Sequence, residues 1–151
     1  MSVLVQGSEL RTLNYGERVA KSTGTLAAST VALFTVAGGR VAITSIYGIV
    51  TTAVTVANSY KLQFNPTTGT TVDLFAASDI GTTDTPVGDL LTFTGDPGGA
   101  VLTRGGAGEG LRAPIIMTIG QIESVSAGTD GVINWVINWV ALDDGASVVA
   151  A

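Results

Sequence analysis

The chain has 151 residues, 46% hydrophobic and 13% charged, with a net charge of −5. That length holds one compact domain with a real core, and the composition is far from that of a disordered polymer. With no cysteine and no histidine, disulfide staples, thiol nucleophiles, Cys/His zinc sites and imidazole acid–base chemistry are excluded, and an acidic balance without a basic run argues against a nucleic-acid partner.

Residues 1–29 differ from the rest: they hold Arg11, Arg18 and Lys21 and become Ser/Thr-rich toward Thr30, as expected of an N-terminal arm that orders on a partner. No apolar core of signal-peptide length precedes Ser22, so synthesis and retention in the cytoplasm are expected.

Residues 30–151 read as short β-branched runs divided by Gly, Pro, Asn and Asp clusters, the pattern of a sandwich or barrel. Residues 30–36 and 40–47 flank Ala37-Gly38-Gly39 and are expected to pair as a hairpin. Residues 41–60 carry no charge over a length that would span a bilayer as a helix. Their Thr, Ser, Val and Ile content and the central Gly48 favour pleated structure instead, with Gly48 marking a bulge, a bend or close packing, and no membrane partner is expected.

Tyr60, Leu62 and Phe64 alternate with Lys61 and Gln63, the mark of a half-buried strand. The turn formers of 65–70 then lead into a second hairpin with 71–75, and 79–86 reads as loop. Residues 87–93 and 100–103 flank Gly95-Asp96-Pro97-Gly98-Gly99 as a third hairpin. Short strands follow at 111–118 and 122–126, and a turn at 127–131.

The clearest element is 132–142, where Ile133, Trp135, Ile137 and Trp139 fall on one face at two-residue spacing. The other face, Val132, Asn134, Val136, Asn138 and Val140, is mixed and suits either another subunit or a second sheet. Trp135 and Trp139 belong to the core or a subunit interface by their spacing; the competing reading makes them a stacking platform for sugars.

No catalytic, cofactor or metal residues are assigned. Residues 105–110 are glycine-rich but lack Gly-Lys-Ser/Thr, contain Glu109 and precede a strand rather than a helix, so they read as a loop. Asp79, Asp84, Asp89, Asp96, Asp143 and Asp144 could supply a carboxylate pair, yet turn-forming roles in which Asp bonds its own backbone are the simpler reading. Asp143-Asp144-Gly145 lacks the alternating oxygen ligands of a calcium loop.

Residues 33–44 (Leu-Phe-Thr-Val-Ala-Gly-Gly-Arg-Val-Ala-Ile-Thr), the stretch from Tyr60-Lys61-Leu62 through Asn65-Pro66-Thr67 to Val72-Asp73-Leu74, and Val140–Ala146 resemble small virion proteins of tailed bacteriophages. The family is that of capsid decoration, or cement, proteins, and the likeness runs from Leu33 to the C-terminus, about four fifths of the chain. It implies a β-sandwich or jelly-roll homotrimer bound to the major capsid protein on the outer capsid surface, with no catalytic motif to transfer.

The expectation is therefore an all-β fold, an antiparallel, jelly-roll-like β-sandwich or partly closed barrel with an extended N-terminal arm, in a non-enzymatic structural protein that associates with itself. Low surface charge points to self-association independently. Trp135 and Trp139 are the expected interface or core residues, and Arg11 and Arg18 are expected to help dock the arm. The alternative is a carbohydrate-binding or adhesin-type module of a phage tail or head fibre.

Overall fold

A computed structural model describes residues 4–93, 98–99, 101–103 and 105–151. In chain order the elements are α1 (Gly7–Tyr15), β1 (Glu17–Thr25), β2 (Ser29–Ala37), β3 (Val41–Thr52), β4 (Ser59–Pro66), β5 (Val72–Asp73), β6 (Ser78–Asp79), β7 (Leu90–Phe93), β8 (Val101–Thr103), β9 (Ile115–Met117), β10 (Gly120–Ser126), β11 (Val132–Ala141) and β12 (Ser147–Ala150).

They form two antiparallel sheets. Sheet A runs β1-β11-β3-β7-β8, with β9 also on β3; sheet B runs β12-β2-β10-β4-β5, with β6 also on β4. The chain changes sheet at β1–β2, β2–β3, β3–β4, β6–β7, β9–β10, β10–β11 and β11–β12. Taking β1, β2, β3, β4, β6, β9, β10 and β11 in turn, the first, eighth, third and sixth lie in one sheet and the second, seventh, fourth and fifth in the other. That is the strand order of a jelly roll, the first of the expected architectures, with β12 added beside β2.

The tight turn at 37–39 therefore does not close a hairpin. β2 pairs with β10 and β12, β3 with β11, β7 and β9, and the glycines carry the chain from one sheet to the other. The reason is that both strands are apolar on one face: Leu33, Phe34 and Val36 on β2 and Val41, Ile43 and Ile46 on β3 are all buried, and only placement in opposite layers buries both sets in one core. The expected hairpins β4–β5 and β7–β8 do form, although the turn residues 95–97 of the second lie outside the described residues.

The expected arm divides. Residues 17–25 are not an arm but β1, seven of whose residues pair with β11, and its Val19 faces inward opposite Ile137. Only the segment ending at Tyr15 lies outside the sheets, as helix α1, with no buried residue. Its polar composition reflects an edge position rather than detachment: β1 has a partner on one side only. Val41–Thr52, within the uncharged run, is one continuous strand, and no helix among the described residues is long and apolar enough to cross a membrane.

Between the sheets Trp135 of β11, Tyr60 of β4 and Phe75 are each fully buried. The Tyr60 and Trp135 rings stack 6.2 Å apart at 5°, and Phe75 lies 6.0 Å from Trp135. Gly48 sits opposite Trp135 in the β3–β11 register, and a Cβ there would come within 3.1 Å of two indole carbons and 2.8 Å of Ile133. The lone glycine is thus close packing, making room for the indole.

Candidate interaction surface

The strand registers assign the side chains of β1, β11, β3 and β9 to faces of sheet A. Inward go Ile133, Trp135, Ile137 and Trp139, opposite Val50, Gly48, Ile46 and Ile43. Outward go three cross-strand rows: Arg18–Asn138–Ser45, Ala20–Val136–Tyr47, and Ser22–Asn134–Ile49–Leu90. A fourth row, Val140–Ala42–Ile116, ends in an Ile116 that is 68% exposed. Arg18 is the single charged residue in these rows.

The outer face of sheet B is built differently. Glu123, 8% exposed, accepts hydrogen bonds from Gln63 Nε2 (2.7 Å) and Asn65 Nδ2 (3.0 Å), and Lys61 pairs with Asp73 at 2.7 Å. Thr71 Oγ1 donates to Asn65 Oδ1 at 3.2 Å. Here polar groups satisfy one another along the strands, which is what a sheet face turned to water needs. Apart from Arg18 and Tyr47 the described rows of sheet A are apolar, small or amide-bearing, and Val136 and Ala42 within them are already buried.

Against this frame the sequence-based candidates separate. Trp135 and Trp139, 0% and 7% exposed, lie in the protein's own core, and Trp135 Nε1 donates to Tyr60 Oη at 2.7 Å. Neither is a surface interface residue nor a sugar platform, because the two-residue period sent the larger side chains into the sandwich. Arg11 on α1 and Arg18 on β1 are both exposed, on different elements, with Arg18 on the outer face of sheet A. The mixed face of β11 is the outward one; it does not line a second sheet.

Residues the sequence reading did not single out complete the surface: Tyr47, Ile49 and Ile116 on sheet A, and Leu10 and Leu13 on α1, 49% and 76% exposed. The alternation of β3 would have pointed to Tyr47 and Ile49, but their outward sense follows only from pairing with β11. At the foot of the helix Thr44 Oγ1 donates to the Tyr15 carbonyl, and Gly16 (φ 84°) lies so close to β11 that a Cβ would meet the Trp139 carbonyl at 2.1 Å.

Of the carboxylates considered for catalysis, Asp79 and Asp143 are occupied by turns, and Asp130 is held in the same way. Asp143 accepts from Arg40 N (2.7 Å), Nε (2.8 Å) and Nη2 (2.7 Å), and the guanidinium hydrogen bonds hold its carboxyl down at about 2. Asp79 accepts from the Thr82 hydroxyl and from the Gly81, Thr82 and Asn58 backbone, and these bonds keep it well below the usual carboxylate range. Asp130 is lowered likewise by the Thr55 hydroxyl and backbone. Groups held ionised this way are poor proton donors. Asp96 lies outside the described residues.

An open groove of about 410 Å³ at the end of the sandwich carrying the 38–40 and 142–146 turns is lined by Gly39, Arg40, Thr67, Thr68, Thr118, Ile119 and Asp143. Its one cation, Arg40, is already committed to Asp143. No protein-family model, curated protein or solved structure matches the chain.

Proposed function

We propose that this protein is a structural component of a tailed-phage virion, a decoration protein that assembles with copies of itself as a homotrimer and seats on the major capsid protein at the outer capsid surface. The observation that carries self-association is the contrast between the two outer faces: on sheet B the β10, β4 and β5 positions are tied by internal hydrogen bonds and an ion pair, whereas the outer rows of sheet A hold one charge, Arg18, and end in Ile116, 68% exposed. Charge-poor patches of this kind are what subunit interfaces bury. The capsid partner rests on the resemblance of residues 33–44, 60–74 and 140–146 to cement proteins, and the jelly-roll order is compatible with it, although the fold alone does not specify a role.

The proposed role is non-enzymatic, and two of the six aspartates considered, Asp79 and Asp143, serve as turn clamps. The glycan platform considered for Trp135 and Trp139 is not formed, because both tryptophans are buried. The test is absolute mass by light scattering during size exclusion, followed by cosedimentation with heads lacking decoration. A mass of three chains and saturable binding are expected; a monomer at micromolar concentration that leaves capsids unbound would overturn the proposal.

A further inference from the structure

We infer that the glycine-rich segment 105–110 is a strap over the β7 end of sheet A that opens and closes in the folded protein, uncovering Thr92 without unfolding the sandwich. The inference does not depend on self-association.

The position of the strap follows from the register of β7. Leu91 stands opposite Gly48 and is fully buried in the core, so Thr92, the next residue, points to the outer face. Thr92 is nevertheless only 4% exposed. Gly108 lies against it: a Cβ there would come 2.8 Å from both Thr92 Cγ2 and Thr92 Oγ1. The space around Gly106 and Gly110 is open, so Gly108 is the glycine that the contact itself requires. One end of the strap is tied where Leu90 N–H donates to the Gly105 carbonyl at 2.7 Å, and beyond the other end Leu111 packs, partly buried, against the core.

Two effects favour release. Thr92 Oγ1 is buried with no hydrogen-bond partner among the described residues, so closure withholds a hydroxyl from water with nothing in exchange. Gly105, Gly106, Gly108 and Gly110 also give the open strap a conformational freedom that closure removes. Local opening is cheapest where a segment buries no side chains of its own, and residues 106–110 are all exposed. The sandwich beneath is held separately, by the Trp135, Tyr60 and Phe75 core.

The chain has no cysteine, so in Thr92→Cys a thiol reagent reports opening, while tryptophan fluorescence of the same variant reports global unfolding. Labelling is expected to run at least about tenfold faster than global unfolding allows, and to change little in low urea, as a local opening that exposes little surface requires. Thr92→Val keeps the shape and removes the unpartnered hydroxyl, so hydrogen exchange at Leu90 N–H should slow by about 5–30-fold. Gly108→Ala should speed that exchange, whereas Gly110→Ala should not. Labelling that follows the urea dependence of global unfolding, labelling as fast as that of a free thiol, exchange unchanged in Thr92→Val, or equal acceleration by Gly108→Ala and Gly110→Ala would each overturn the strap.

Discussion

The Tyr60 hydroxyl is the polar centre of an otherwise apolar core, and replacing it tests how the two sheets are tied. In Tyr60→Phe the ring and its stacking on Trp135 remain, but the buried indole N–H loses its acceptor at 2.7 Å and the buried Ser124 hydroxyl its partner at 2.9 Å. An unsatisfied buried donor costs about 1–3 kcal/mol, and the weaker loss at Ser124 adds about 1 kcal/mol, giving roughly 2–4 kcal/mol. For a domain of this size that lowers Tm by about 5–12 °C. Urea unfolding followed by tryptophan fluorescence measures it, with the m-value unchanged. Trp135→Phe in the same background closes a double-mutant cycle, in which a coupling of about 1–3 kcal/mol is expected. The alkaline limb gives a second check. Burial pushes the Tyr60 phenol well above its ordinary value, so its contribution is complete below the unfolded-chain value of about 10 and is lost as pH rises beyond it. The Phe variant lacks that component. A loss below about 0.5 kcal/mol in Tyr60→Phe would refute the claim that this hydroxyl couples the sheets.

Asn138→Asp, which puts a carboxylate on the outer face of sheet A, is expected to dissociate the oligomer in light scattering while changing Tm of the isolated subunit by less than about 2 °C. Deleting residues 1–28 removes β1 and uncovers the edge of Ile137 and Trp139, so the product should lose near-UV circular dichroism, whereas deleting only residues 1–15 should preserve it. Asp79, Asp130 and Asp143 all have folded-state values below their unfolded ones, so their stabilisation is present above about pH 4 and is lost as pH falls toward 2. The urea midpoint of the wild type should fall over that range, and the triple Asn variant should start lower and fall less. Gly48→Val drives a branched side chain into Ile133 and the Trp135 indole and should cost at least about 2 kcal/mol by the same urea titration.

Much of the architecture was legible because strands announce themselves locally. The alternation in 59–64 and 132–142, and glycine or proline clusters between runs, reflect a period of two and a few permitted turn conformations that need no tertiary information. The shared face of Trp135 and Trp139 followed the same way, as did the turn roles of Asp79 and Asp143, whereas the choice between core and subunit interface waited for the strand register.

Three features were decided only by the tertiary structure. Whether two apolar runs around Gly38 pair or part depends on which layers can bury both faces, and a turn of three residues serves either arrangement. β1, with Arg18 and Lys21, looks polar because an edge strand has little of its surface inside, and its membership of the sheet comes from β11, more than a hundred residues away. The outer face of sheet A is assembled from β1, β11, β3, β7 and β9, so its lack of charge is a property of no single segment. The sequence by itself determines which residues must leave water; only the pairing of distant strands determines which of the remaining ones stand side by side, because a surface is defined by cross-strand neighbours about 5 Å apart and not by neighbours along the chain.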